Sequence, residues 1–187
     1  MRKAFSSALG VTLFLFCGLL YGCAQNAPTA SPERPPQNYQ GPLAEGPVLQ
    51  ADDYWIYKRA DGTRIKAGAG SMLAKVEFPL WIGRVWRYDS SAHLMGHAEN
   101  APRTPVVIEC AANRLVSITV PAGRFDAFQC RCECTIVGAS GVYERECGEW
   151  TLWYAPQARN IVKTKGESTA NAFDLVEYKI SDDVSGR

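Results

Sequence analysis

The sequence predicts an all-β protein in which a single antiparallel sheet curls into a barrel or half-barrel, behind a disordered, proline-rich N-terminal tether. From residue 48 onward, short runs of β-branched and aromatic residues alternate with polar ones and are separated by turn-forming residues, as in strands. No long segment shows the 3.6-residue periodicity of an amphipathic helix. Many short strands at close spacing favour an antiparallel sheet that curls on itself.

Composition places the chain among globular proteins. Of the 187 residues, 47% are apolar and 21% are charged, so the chain is neither collagen-like nor wholly disordered. The formal net charge of +1 gives no sign of a nucleic-acid-binding surface, and we expect no nucleic-acid partner. Seven cysteines are many for a chain of this length, so their positions deserve separate analysis.

Residues 1–22 are interpreted as a signal peptide. Arg2 and Lys3 form a basic start, and residues 8–20 form an apolar run that is too short to anchor the chain across a bilayer. The run ends in Leu20-Tyr21-Gly22-Cys23, which resembles the lipobox of bacterial lipoproteins, although Tyr21 is bulkier than usual at its place. An ordinary cleaved signal peptide with an incidental Cys23 is the alternative.

The lipobox resemblance implies that Cys23 is the site of lipidation and that the partner of the chain is a membrane. In bacterial lipoproteins this thiol is acylated, the signal peptide is cut before it, and the new amine is acylated. Several acyl chains hold a protein durably where one chain binds marginally. Ala24 follows, with no aspartate to favour inner-membrane retention. The resemblance therefore implies the bacterial cell envelope, at the outer membrane and facing the periplasm.

Residues 23–47 are predicted to be the lipidated cysteine and a flexible tether, and residues 48–187 the β domain. The tether is polar and contains six prolines, so it has too little apolar surface to fold alone. In the domain we predict strands at residues 53–58, 63–67, 73–78, 84–88, 105–110, 115–120, 125–137, 142–154, 160–165 and 172–181. Ala60-Asp61-Gly62 indicates a hairpin turn between the first two.

The most informative segment is the predicted strand at residues 125–137. Alternate residues of a strand share a face, so Cys130, Cys132 and Cys134 fall in one apolar row. The other row is polar and consists of Gln129, Arg131, Glu133 and Thr135. We therefore expect the three cysteines to point into the core.

Turn geometry favours one disulfide but leaves the rest open. A tight turn within residues 138–141 places Cys132 opposite Cys147, close enough for a cross-strand bond. Cys110 then pairs with Cys130 or Cys134, and one thiol stays free. A register shift of two residues instead pairs Cys147 with Cys130 or Cys134.

A β-bulge is expected at Gly148. The apolar side chains of Trp150, Leu152 and Tyr154 have the opposite parity to Cys147, so simple alternation would put them on the wrong face. One extra residue at Gly148 brings all four to the same face.

No catalytic residue, metal ligand or cofactor is predicted, and we do not expect an enzyme. Hydrolase signatures and a glycine-rich phosphate loop do not occur in the sequence. Thiolates at alternate strand positions lie about 7 Å apart, too far to share one tetrahedral zinc. Glu144 and Glu146 are interpreted as part of a solvated face. His93 and His97, on either side of Met95, are interpreted as loop residues, with a metal site as the alternative.

Three ordered motifs in the domain resemble those of uncharacterised secreted bacterial β-sheet proteins, which are grouped as domains of unknown function. The motifs are Phe78-Pro79-Leu80-Trp81-Ile82-Gly83-Arg84-Val85-Trp86, Val120-Pro121-Ala122-Gly123-Arg124-Phe125-Asp126-Ala127, and Trp153-Tyr154-Ala155-Pro156 followed by Ile161-Val162-Lys163. The chain departs from the pattern at Arg159-Asn160, where those proteins tend to have a glycine. The resemblance implies no catalytic residues.

These observations lead us to expect a lipid-anchored envelope protein with a non-enzymatic binding or assembly module. Its ligand would be apolar, a glycan, or another envelope protein. The alternatives are a purely structural envelope lipoprotein and a metal-handling lipoprotein that uses His93, His97 and the spare thiol. The five tryptophans fill a small β-core or line a ligand cavity, and periodicity does not separate the two.

Overall fold

The computed structural model of the chain describes residues 34–69, 75–92, 104–138, 143–166 and 172–181. These residues form ten strands and one 3₁₀ turn, Pro156–Ala158. The strands are β1 (Leu43–Ala44), β2 (Tyr54–Arg59), β3 (Arg64–Gly68), β4 (Leu80–Trp81), β5 (Val85–Ala92), β6 (Thr104–Val120), β7 (Gly123–Val137), β8 (Tyr143–Ala155), β9 (Asn160–Gly166) and β10 (Phe173–Lys179). The predicted signal peptide, Cys23, His93 and His97 lie outside the described residues.

Eight of the strands form one antiparallel sheet in the order β3-β2-β10-β9-β8-β7-β6-β5. Strands β1 and β4 form a separate two-stranded sheet. Within the described part of the chain, no pairing joins β3 to β5, so the large sheet is open. The all-β prediction is confirmed, and of the two predicted shapes the sheet does not take the closed barrel.

The predicted hairpin at the start of the domain is confirmed. Strands β2 and β3 pair in antiparallel register on either side of Ala60-Asp61-Gly62, and Gly62 has a φ of +89°, which a residue with a side chain rarely adopts. In contrast, the predicted strands at residues 105–110 and 115–120 are one strand, β6. A bulge between Ala112 and Arg114 accommodates the polar residues that suggested a break.

The predicted strand at residues 73–78 is not found in the described part of that range, residues 75–78. This stretch leads instead into the short strand β4. Its pairing partner is β1, which lies within the predicted tether. The folded region therefore begins before residue 48.

Strand β8 contains two bulges opposite β7, and they set the positions of the cysteines. Val137 lies opposite Tyr143, Thr135 opposite Glu146, and Cys134 opposite Gly148. Strand β8 therefore has one residue more than β7 in each of these two intervals. The second bulge lies at Cys147 and Gly148, where Gly148 has a φ of +124°. This confirms the predicted bulge, and Cys147, Trp150, Leu152 and Tyr154 all join one apolar cluster.

The core consists of two apolar clusters. The first lies on the cysteine face of β6, β7 and β8 and includes Phe128, Leu152 and Tyr154. The second surrounds Trp55 and Tyr57 of β2, where the Trp55 indole donates a hydrogen bond to the Ala158 carbonyl at 2.7 Å. Phe173 packs against both clusters and links the two halves of the sheet.

Candidate functional site

An open groove of about 830 Å³ lies between the segment at residues 34–45 and the turn-rich segment at residues 77–84. Prolines, aromatic rings and charged side chains line it together. The lining residues are Arg34, Pro35, Pro36, Gln37, Tyr39, Leu43, Glu45, Glu77, Phe78, Pro79 and Arg84. Two segments that are distant in sequence therefore form one surface, next to the start of the described chain.

The floor of the groove is fixed to the large sheet through a tight turn. The Arg84 amide donates to the Trp81 carbonyl at 3.1 Å, and the Gly83 amide donates to the Ala112 carbonyl at 2.7 Å. The Ala112 amide in turn donates to the Arg84 carbonyl at 2.9 Å. Gly83 has a φ of +95°, which favours glycine at this position of the turn.

The Arg84 side chain is a buried cation beneath the groove. Its guanidinium donates to the Pro79 carbonyl at 2.9 Å and to the Glu77 carboxylate at 3.4 Å, and it lies over the Trp81 ring at 4.8 Å. A buried charge is tolerated when it is paired and hydrogen-bonded in this way. Arg84 therefore holds residues 77–81 in place.

Tyr39 closes the other side of the groove. Its hydroxyl donates to the Pro42 carbonyl at 2.9 Å and accepts a hydrogen bond from the Ile82 amide at 3.0 Å. The adjacent Gly41 has no room for a side chain, because an added Cβ would lie 2.5 Å from the Tyr39 ring. Tyr39 and β1 thus attach residues 34–45 to the domain.

The aromatic residues mostly fill the core. Trp55, Trp81, Trp86 and Tyr154 are buried, and Phe78 packs edge-on against Tyr154 with ring centroids 5.1 Å apart. Trp150 and Trp153 are partly buried against the two clusters. Of the two sequence-based interpretations of the tryptophans, the described residues follow the core-filling one.

The predicted disulfide between Cys132 and Cys147 is wrong. The structure pairs Cys110 with Cys132, at a Cα separation of 4.0 Å, and Cys134 with Cys147, at 5.1 Å. The pairing starts one residue later than predicted, with Val137 opposite Tyr143, and the bulges at residues 144 and 147 shift it further. As a result, Cys132 lies opposite Trp150 on β8 and Cys110 on β6. The pair of Cys134 with Cys147 is the one that the shifted register allowed.

Cys130 is the single free thiol among the described cysteines, as the predicted count of one requires. It is fully buried, and burial raises the pKa of its thiol to about 12. The thiol is therefore protonated at neutral pH, a state that neither attacks an electrophile nor binds a metal well. Cys130 serves as a small apolar core residue.

The polar row of β7 is solvated, as predicted. Arg131 forms ion pairs with Glu133 at 3.3 Å and with Glu149, and the three side chains are about half exposed or more. Hydrogen bonding to Glu149 raises the pKa of Arg131. Glu146 is exposed, while the side chain of Glu144 lies outside the described residues.

The described residues contain neither a metal-binding cluster nor a membrane-spanning helix. No group of three or more histidine, cysteine, aspartate or glutamate side chains is placed to hold a metal ion there. The described part of the chain also has no helix with the length and apolar character needed to cross a membrane.

Sequence reasoning missed the groove, because residues 34–45 were assigned to the tether on composition. Tyr39 and the pair Leu43-Ala44 are the apolar residues in this stretch, and they were the available signal.

Comparison of the chain with protein-family models, with curated proteins and with solved structures finds no match in any of the three.

Proposed function

We propose that the protein is a lipid-anchored envelope protein whose groove at residues 34–45 and 77–84 binds an extended polypeptide segment of another envelope protein. The observation that carries the proposal is the groove itself, built partly from the segment that follows the predicted anchor at Cys23. The role of the protein is binding or assembly, without catalysis.

The lining chemistry favours a polypeptide over a small apolar ligand. Small-molecule sites are concave and bury most of their ligand, whereas this groove is open to solvent and the aromatic residues fill the core. Aromatic rings at a surface are typical of grooves that receive extended, proline-rich peptides. Leu43, with 46% of its surface exposed, offers an apolar contact at the rim.

The groove also carries both signs of charge. Arg34 contributes positive charge and Glu45 contributes negative charge, while Arg84 and Glu77 are paired with each other. Mixed charge gives orientation and specificity to a bound polypeptide. A glycan or lipid tail would use little of this pattern.

Site-specific photocrosslinking in intact cells tests the proposal with a matched pair of positions. A photoreactive phenylalanine analogue replaces Leu43 in the groove, and in the control it replaces Leu115, which is 40% exposed on β6 and does not line the groove. We expect an adduct of polypeptide mass at position 43 and not at position 115. The same adducts at both positions, or none at position 43, would contradict the proposal.

Acylation is measured separately on the same material. Intact-mass analysis of the membrane-extracted protein is expected to give a chain that begins at Cys23 and carries acyl groups. A chain that begins elsewhere, or that has an unmodified Cys23, would refute the anchor without affecting the groove.

A second candidate is a purely structural envelope lipoprotein. It is supported by the filled core, in which the large aromatic side chains leave little space for a ligand. Under this hypothesis, substitutions in the groove change neither the crosslinked products at position 43 nor the fitness of the cell. The metal-handling alternative loses one of its proposed ligands, because the spare thiol of Cys130 is buried and protonated.

A further inference from the structure

Five cations occupy one face of the sheet at its β3 end. They are Lys58, Arg64, Lys66, Lys163 and Lys165, and we call this surface the basic face. It spans four neighbouring strands, β3, β2, β10 and β9, or roughly 15 Å at the usual strand spacing.

The strand register brings these cations together. Arg64 lies opposite Lys58, Lys58 opposite Asp174, and Asp174 opposite Lys163. Residues that lie opposite each other in a ladder share a face. Lys66 and Lys165 lie two residues along their strands from members of this row, so they share the face as well.

The same face also carries two carboxylates of β10, Asp174 opposite Lys58 and Glu177 opposite Ile56, and the five cations exceed them. Lys163 forms an ion pair with Asp174 at 2.8 Å, and Lys66 lies over the Tyr54 ring at 4.3 Å. Among the described residues, no carboxylate lies within ion-pair distance of Lys58 or Arg64. Lys58 lies between Arg64 on one side and Asp174 on the other, so repulsion by the first is set against attraction by the second.

We propose that the basic face docks on an anionic phospholipid bilayer and orients the anchored domain on the membrane. The proposal rests on the proposed function, because the anchor at Cys23 supplies the membrane. Eleven residue steps separate Cys23 from Arg34, which limits that stretch of chain to about 40 Å. A lipid-anchored protein is held more firmly at a membrane when it also makes an electrostatic contact with the lipid surface.

Hydrogen–deuterium exchange at the β2–β3 turn tests the proposal on the full lipidated protein. The protein is reconstituted into vesicles of phosphatidylcholine alone, or of phosphatidylcholine with one third phosphatidylglycerol. The Gly62 amide, which donates to the Arg59 carbonyl at 3.0 Å, lies at the hairpin tip. At an anionic surface of about −30 to −50 mV, hydroxide is depleted about three- to sevenfold, so its exchange should slow by at least that factor.

Two double variants separate a docking face from a general charge effect. Lys58→Gln with Arg64→Gln should remove the slowing. Arg114→Gln with Arg124→Gln removes the same charge from exposed arginines that bond neutral side chains, and it should preserve the slowing. High salt should also abolish it, because it screens exposed charges.

Three results would overturn the proposal. They are equal exchange in both vesicle types, loss of slowing in both double variants, and equal slowing by inorganic phosphate in detergent, which would identify a soluble anion as the ligand. Intact mass of the same sample reports whether Cys23 is acylated. If it is not, the anchor fails, and sedimentation of the unanchored protein with the same vesicles still tests the basic face.

Discussion

The two cross-strand disulfides should supply a large share of the stability of the domain. In the chain-entropy description, a crosslink stabilises by restricting the unfolded chain, and the effect grows with the loop that it closes. Cys134 and Cys147 are 13 residues apart, and Cys110 and Cys132 are 22 apart. These loops correspond to about 3.0 and 3.4 kcal/mol.

Removal of one crosslink is therefore a severe perturbation. We predict that Cys134→Ala with Cys147→Ala lowers the free energy of unfolding by about 3 kcal/mol beyond the loss of the buried sulfur atoms. For a domain of this size, that corresponds to a fall of roughly 6–12 °C in Tm. Removal of both crosslinks, about 6 kcal/mol, consumes much of the 5–15 kcal/mol typical of a domain.

Denaturant unfolding of the oxidised protein measures the effect, and Cys130→Ala provides the matched control. This variant removes a buried sulfur atom without breaking a crosslink, so it should cost only about 1 kcal/mol. The reasoning is refuted if the Cys134 and Cys147 double variant loses no more than twice the control. It is also refuted if peptide mapping finds Cys132 linked to Cys147, or a free thiol at Cys110, Cys132, Cys134 or Cys147.

Three further substitutions have defined outcomes. Gly41→Ala should displace the Tyr39 ring and speed amide exchange at Ile82 at least tenfold, and unchanged exchange would count against the groove geometry. Asp53→Asn should cost about 1.5–3 kcal/mol in chemical unfolding. Its charge accepts backbone hydrogen bonds from Gln50 at 2.8 Å and from Ser181 at 2.7 Å. Gly148→Ala should lose about 1–2 kcal/mol because of its positive φ, whereas Gly68→Ala, with open space around it, should lose less.

The Asp53 substitution also has a pH dependence. Burial raises the pKa of this carboxyl, but the hydrogen bonds from Gln50 and Ser181 outweigh burial, so the pKa lies below the ordinary value of 3.8. A carboxyl with a lowered pKa in the folded state stabilises above the unfolded value and loses that contribution as the pH falls. The stability difference between wild type and Asp53→Asn should therefore shrink below about pH 4. An unchanged difference at pH 3 would contradict this role.

The sequence was informative where local rules decide the structure. The hairpin at Ala60-Asp61-Gly62 and the inward row of Cys130, Cys132 and Cys134 follow from turn chemistry and from strand alternation. The bulge at Gly148 was predictable because apolar side chains would otherwise have faced solvent. In each of these cases, neighbouring residues alone determine the geometry.

The disulfide pairing failed because register accumulates along a strand. The predicted bulge at Gly148 lies beyond Cys147, but the pairing also starts one residue later at the turn, and a second bulge at Glu144 adds another residue. Together these two shifts move Cys147 from Cys132 to Cys134. The polar residues Glu144 and Arg145 give no local sign of this bulge. A pairing rule that counts outward from the turn therefore misplaces every residue beyond it.

The sequence did not predict the groove, and the reason is different. Pro35, Pro36 and Pro42 make the segment resemble a solvated tether, and its order depends on partners about forty residues away. The hydrogen bond between Tyr39 and the Ile82 amide and the pairing of β1 with β4 are long-range contacts. Composition cannot reveal them.

The structure also explains how the chain accommodates Arg159 at a position where the resembled motif tends to have glycine. Arg159 takes the left-handed conformation with a φ of 52°, where the resembled proteins tend to have glycine. Its guanidinium donates to the Val48 carbonyl at 3.0 Å and to the Ser181 carbonyl at 3.3 Å. These bonds offset the cost of the backbone conformation and join both ends of the domain.

The central proposal is that a lipid-anchored envelope protein binds a polypeptide in the groove at residues 34–45 and 77–84. The most direct test is the mass of the adduct that forms at position 43 of the acylated protein in intact cells. We predict an adduct of polypeptide mass that weakens when Gly41→Ala displaces the Tyr39 ring. An adduct of small-molecule mass, or no adduct at position 43, would contradict it.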